Sequence, residues 1–565
     1  MTTDVSSMHV RRARWRALPR PRAGGVSLAA AIAIAAAVAA PLAVLVAAAF
    51  GADLAHWRHL AEFVLPQALA NTLLLLAGVG AIVSVVGTGC AWLVTAYDFP
   101  GRRMLTWALL LPLAVPTYIV AFAYLDLLHP IGPVQGAIRW LLGYDSPRQF
   151  RLPDLRTLPG AVFVLGFVLY PYVYLSTRAM FVTQSASLLE AARTLGATRI
   201  ATFWRVVVPL ARPAIAVGMS LALLETLNDI GASEFLGVQT LTVSVYTTWI
   251  TRSDLAGAAQ IALAMLAIVV GMIALERYGR RRQRYAHGRR MRPIAPQRLT
   301  GAAACGAAVL GWLPVLTGFG APAAYLAVET GKRLHLVGGV SAQLMTGLAN
   351  TLTVAAAATV ATLACGLVVA WAARMQRDSA RVGPARACAR IASLGYAVPG
   401  TVLAIGLLIP LAAADRLIAA TLGRDGLLLM GSAAALVIAY TVRFLAISTG
   451  SIEAGLARIP PSLEHAARSL GETAGGTLRR VHLPLLRPAL TTSALLVFVD
   501  AMKELPATLL LRPLNFDTLA TWLYAEAARG TYEGRRGRRA RDRARRTRTG
   551  DPARPHPPQD RSLTP

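Results

Sequence analysis

Eleven apolar stretches, near 26–50, 67–95, 104–127, 158–178, 212–232, 256–276, 300–327, 346–373, 388–412, 426–447 and 487–510, dominate the chain. Most reach the roughly 20 residues that cross a bilayer as a helix. Inside hydrocarbon, backbone groups must be satisfied within the segment itself, so repeated runs of this length specify an all-α polytopic membrane protein. The formal charge of +29 does not point to nucleic acid, because the arginines cluster in short segments between apolar runs, as cytoplasmic loops do. Cys90, Cys305, Cys365 and Cys388 lie in or beside apolar runs without C-x-x-C spacing, the pattern of packed thiols rather than of a disulfide or a metal site.

Residues 1–25 form a basic N-terminus carrying Arg11, Arg12, Arg14, Arg16, Arg20 and Arg22. The apolar run that follows is longer than a signal-peptide core, so it reads as an uncleaved first helix with its N-terminus inside. Threading from there puts "DFPGRR" at 98–103, the stretch 188–213, the linker 277–298 and "RMQRDSARVGPARA" at 374–387 on one side, in agreement with their arginines. The basic, proline-bearing linker separates a first half, 26–276, from a second, 299–533.

The halves are duplicates. Laid without gaps, 187–213 and 462–488 share 15 of 27 residues, and "ANTL" recurs at 70 and 349, "AVP" at 114 and 397. Both copies of the longer stretch fall on the same side, so the repeat is parallel and a pathway between the halves is its natural product.

The match breaks at the end. The first half closes with a helix at 256–276, whereas "TYEG" in the second runs into the Arg/Pro-rich 534–565, which has the composition of neither a core nor a span. Eleven spans are therefore expected, with a twelfth apparently lost. Either the reading frame shifts near Gly534, which resequencing tests directly, or the tail is genuinely disordered.

Within the repeated stretch, Ser187 and Glu190 have capping-box spacing for a helix that Gly196 ends, and Thr198 is placed to cap a second short helix that stops before Pro209. The product is a helix-turn-helix elbow on the cytoplasmic surface. Ala191 and Ala192 give it little side-chain bulk, while Arg193 and Arg205 offer charge at the rim. Such a face fits docking; a single copy could equally rest on lipid headgroups, but two copies on two halves favour a two-lobed partner.

"EAARTLG" followed after nine residues by "VVVPLARP" resembles the EAA loop of the membrane-spanning subunits of ABC importers. The resemblance implies tandem type I, MetI-like transmembrane domains in which Glu190, Ala191, Ala192, Arg193, Gly196 and Pro209 form one ATPase-coupling elbow. His465, Ala466, Ala467, Arg468, Gly471 and Pro484 form the other. His465 departs from the pattern: the expected glutamate stands one place earlier, at 464, which weakens the capping box. The stretches 224–250 and 502–527 are similar to fused permeases of the ferric-iron type, and fused thiamine and 2-aminoethylphosphonate permeases are built alike. Membership implies two copies of a separate ATPase, a periplasmic binding protein, and a bacterial inner-membrane location. The chain is then a non-catalytic subunit with no cofactor of its own, ATP being bound by the partner. Consistently, it contains no Gly-x-x-x-x-Gly-Lys-Ser/Thr.

Glu225, Asp229 and Glu234 in the first half, and Asp500, Lys503 and Glu504 in the second, are ionisable residues at expected membrane depth. They are functional candidates because burying charge in hydrocarbon costs several kcal/mol, about 3 on insertion scales. They either line the pathway, where carboxylates would suit a hard trivalent cation, or pair across the interface to hold or gate the halves. In neither case is a tightly bound metal expected, since a conduit must release what it admits. His56, His59, His129 and His335 are scattered without ligand spacing and read as solvated. An ion-coupled secondary transporter of six-plus-six design is the reading from another class; it has no use for two elbows of fixed spacing.

Overall fold

The computed structural model of the protein describes residues 25–51, 54–183, 192, 194–280, 295–376, 383–423 and 426–528. The basic N-terminus, Ser187, Glu190, Ala191, Arg193, most of the linker and the 534–565 tail lie outside the described residues. Among those described, ten helices are long and apolar enough to cross a membrane.

In chain order the helices that matter here are α1 (Gly25–Phe50), α2 (Leu65–Ala96), α3 (Arg102–Ala108), α4 (Thr117–Leu127), α5 (Leu158–Thr183), α6 (Val208–Asn228) and α7 (Gly231–Phe235). They continue with α8 (Leu241–Ile250), α9 (Leu255–Arg280), α10 (Gly301–Val315), α11 (Ala321–Val337) and α12 (Ala342–Met375). The last are α13 (Pro384–Ala392), α14 (Gly400–Leu422), α15 (Ala434–Ala457), α16 (Pro461–Ser469), α17 (Leu483–Met502), α18 (Pro506–Leu511) and α19 (Leu519–Ala528).

The expected single span at 104–127 is a correction. α3 and the turn after it meet α4 at a 92° bend, and only together would they make an eleventh crossing. The cause is the "VP" pair. A proline crowds the residue before it out of the helical region, and Val115 is accordingly extended at φ −111°, ψ 128°. The second half repeats this: the stretch 388–412 divides into α13 and α14, the latter entered through Pro399. Cys305 is a second correction, being exposed on α10 instead of packed.

By compactness the chain forms two units that cut across the sequence halves. One comprises 355–398 and 437–501 with the start of α1; the other holds 44–354, 399–436 and the segment from 502 onward. α14, α18 and α19 of the second half thus pack with the helices of the first. In this larger unit, α2, α5 and α6 share a core in which Val79, Val83, Leu165, Val168, Tyr170 and Tyr174 are buried. In the smaller, Ala370, Ile452, Leu456, Ile459 and Leu486 form the core.

The duplication reaches individual contacts. Asn71 Nδ2 donates to the carbonyl of Gln239 at 3.1 Å, and Thr72 Oγ1 accepts from the Leu241 N–H at 3.0 Å. Asn350 does the same for Asp517 at 2.9 Å, and Thr351 for Leu519 at 2.7 Å. The repeated "ANTL" therefore anchors the start of α8 in one half and of α19 in the other, satisfying first-turn N–H groups that have no helical partner. Close helix packing recurs too. A Cβ on Gly87 would stand 2.7 Å from Val173 Cβ, and one on Gly366 would stand 2.9 Å from Ser448 Cβ, so each glycine lets its long helix touch the partner helix.

Candidate coupling elbows and polar break

The second elbow is described throughout. α16 begins with Pro461 at its first position, a residue whose fixed φ suits a helix start, and no side chain caps it. Ser462 therefore does not make the cap that the first copy's spacing leads one to expect. The helix ends at Leu470, Gly471 takes the left-handed φ of +86°, and the Glu472 N–H returns to the Ala467 carbonyl at 3.0 Å. Thr473 then caps the next turn, its hydroxyl accepting from the Gly476 N–H at 3.1 Å. In the first elbow the described residues repeat this. Gly196 has φ +82°, the Ala197 N–H reaches the Ala192 carbonyl at 3.0 Å, and Thr198 Oγ1 accepts from the Ala201 N–H at 3.2 Å.

Each elbow joins its span through a π-turn, Phe203–Val207 and Leu478–His482, just before Pro209 and Pro484. A proline ring clashes with the carbonyl four residues back, and the widened turn gives it room. The residues before the two glycines point away from the protein: Leu195 is 87% exposed and Leu470 85%. The paired alanines divide, as successive helical residues about 100° apart must. Ala466 is exposed, whereas Ala467 is 7% exposed and packs inward. His465 and Arg468 are exposed as well.

The second polar locus lies at the end of α6. Asn228 is buried, and its Oδ1 accepts from the Gly400 N–H, the first residue of α14, at 2.7 Å. Asp229 accepts from the Thr117 hydroxyl at the start of α4 and, at 2.8 Å, from the Ala232 N–H of α7. Glu504 does for α18 what Asp229 does for α7: it accepts from the N–H groups of Ala507 at 3.1 Å and Thr508 at 3.3 Å. Glu234 accepts from the Tyr524 hydroxyl, and Phe235 stacks on the Tyr524 ring at 5.2 Å. Glu225, Asp500 and Lys503 are half-buried. Among the described residues no three His, Cys, Asp or Glu side chains gather as a metal site.

Two contacts had no sequence signal: Tyr524 against Glu234, and Arg374 against Glu464. The doubled "ANTL" was a signal for the loop anchors, through the polar pair that it sets into an apolar run.

A family model, the binding-protein-dependent transport system inner membrane component, matches residues 83–285 and again 384–520. The chain belongs to that family. As a member of it, the protein is a fused two-half permease, the two matches falling one on each half. It is 25% identical over 472 residues to a Haemophilus influenzae Fe(3+)-transport system permease protein, covering 82% of this chain and 85% of that one. A probable ABC transporter permease of Sinorhizobium fredii is 26% identical over 470 residues, 79% of each chain. A putative 2-aminoethylphosphonate transport system permease of Salmonella paratyphi A is 30% identical over 213 residues, 37% of this chain and 73% of its own length.

Proposed function

We propose that this permease is the pathway subunit of an ATP-driven importer of ferric iron, set in a bacterial inner membrane with its N-terminus in the cytoplasm. Each elbow receives one copy of a separate ATP-binding subunit, and a periplasmic binding protein delivers the cargo from the other side. The observation that carries the reading is the matched pair of elbows: in each, a left-handed glycine presents an almost fully exposed leucine at the tip. A large apolar side chain left exposed at the same place in both copies of a duplicated segment fits a surface kept for contact with a partner. Closure of the two ATPases would draw the elbows together and swing the pathway between its two openings, as rigid motion of pseudo-symmetric halves.

Of the six intramembrane candidates, Asp229 and Glu504 accept first-turn N–H groups and Glu234 accepts the Tyr524 hydroxyl, so these three carry a structural duty beside any role in the pathway. Iron is supported by the long match to the Fe(3+)-transport permease, which spans both halves. A phosphonate cargo is the second reading, favoured by the higher identity over the shorter match.

The test is uptake into proteoliposomes containing this chain with its cognate ATPase and binding protein. Iron uptake and binding-protein-stimulated ATP hydrolysis are expected, both lost in Gly196→Pro while membrane insertion persists. Uptake driven by a proton gradient without the ATPase would overturn the reading in favour of a secondary transporter, and stimulation unchanged in Gly196→Pro would remove the coupling role.

A further inference from the structure

The glutamate that the EAA pattern puts at 465 stands at 464, and a shift of one residue along a helix is a change of face. His465 is exposed, while Glu464 turns inward with its side chain 14% exposed. There its Oε1 meets Arg374 Nε at 2.8 Å and lies 3.3 Å from His482 Nε2. Arg374, in the last turn of α12, is 6% exposed. It spends its other nitrogens on the carbonyls of Leu456 at 3.1 Å and Ile459 at 2.9 Å, at the end of α15. His482 closes the π-turn, fully buried, edge-on to Trp371 of α12 at 4.9 Å. One guanidinium thereby joins the ends of α12 and α15 to the elbow helix α16, and the histidine packs beside the same carboxylate at the base of α17. All of these residues belong to the smaller compact unit.

The first-half positions in register with these three carry other residues. Leu189 and Val207 stand in register with Glu464 and His482, and the register of the repeated "ANTL" puts Thr95 at the place of Arg374. Thr95 bonds only within its own helix, to the Ala91 carbonyl at 2.7 Å.

We propose that Arg374 and Glu464 form an internal tether, with His482 packed beside the carboxylate, that makes the second elbow move as one body with the ends of α12 and α15. A buried, hydrogen-bonded ion pair holds one arrangement because separating the partners leaves charge uncompensated. Three guanidinium donors on α12 meeting three acceptors, two at the end of α15 and one on α16, leave no slack for α16 to pivot. Glu464 is then a positioning residue for coupling, and the partner-facing surface of α16 shows His465, Arg468 and Leu470 but no acid. The inference rests on the coupling role proposed above, and the test separates the two.

Hydrogen exchange of 461–469 in the purified permease, without any partner, reads the tether alone. Glu464→Ala should raise exchange there about tenfold and leave the first elbow unchanged, with the milder Glu464→Gln between. Equal exchange in wild type and Glu464→Ala would overturn the tether. In the full complex, iron transported per ATP hydrolysed should fall at least fivefold in Glu464→Ala while the ATPase still co-purifies. Loss of co-purification with unchanged exchange would instead make Glu464 a direct partner contact, and also overturn the proposal. A wild-type complex with no stimulated hydrolysis would sink the coupling role while the exchange result still judged the tether.

Discussion

Asp229 and Glu504 occupy the same register in the two halves and hold the same bond, each carboxylate accepting the N–H of an alanine three residues on, at 2.8 Å from Ala232 and 3.1 Å from Ala507. Duplication has kept the job while changing the side-chain length. Each anion sits at the start of a short helix, where unpaired N–H groups and the helix dipole both favour negative charge. A residue that looks like a channel acid in the sequence therefore has a structural duty first.

It follows that Asp229→Asn, which keeps an acceptor, should leave thermal stability in detergent close to wild type. Asp229→Ala should cost about 1–2 kcal/mol, the usual loss for a helix-start acceptor. A drop in transport for the stable Asp229→Asn would show that the charge itself is needed in the pathway.

The divided alanines of α16 separate packing from docking. Ala467→Trp forces a large ring into a filled site and should lower the melting temperature, at a cost of about 1–3 kcal/mol. Ala466→Trp lies on the outside and should leave melting unchanged while weakening co-purification of the ATPase. If both variants melt alike, α16 is oriented differently from the structure described here.

Leu195→Ala and Leu470→Ala should likewise have no effect on stability, because nothing is packed against a side chain more than four-fifths exposed. Each should weaken ATPase association, measured by pull-down or surface binding, by about tenfold, or roughly 1.4 kcal/mol for a buried interfacial leucine.

The two helix-contact glycines differ in what they touch. Gly366→Ala meets mainly the Ser448 side chain, so Ser448→Gly should recover most of its cost. Gly87→Ala meets the backbone of Tyr170 and Tyr174, each 2.9 Å from the added carbon, and no side-chain trimming should rescue it. Thermal unfolding of the three single variants and of the Gly366→Ala/Ser448→Gly double variant decides this.

Hydropathy located most of the long crossings, because burial in hydrocarbon is written into composition over some 20 residues. It was blind to the bend between Val115 and Pro116, since a broken helix needs the same apolar side chains as a straight one. The "AVP" echo carried that information, through proline's restriction of the residue before it. The elbows were legible as far as glycine, threonine and proline positions determine them: Gly196, Thr198, Gly471 and Thr473 act as their types predict. The destination of Glu464 was not legible, because it depends on Arg374, about ninety residues earlier in the chain and brought near only by folding.

The π-turns at Phe203–Val207 and Leu478–His482 each accommodate one residue more than an α-helix would at that place. Deleting a single residue from either would let the regular helix continue at nearly the same phase, because four α-helical residues turn about as far as five π-helical ones. The leucine at the tip would keep its direction, but the widened turn that gives the proline ring its room would be gone. A one-residue deletion in these five-residue windows should thus be tolerated only together with replacement of Pro209 or Pro484, making the spare residue and the proline an inherited pair.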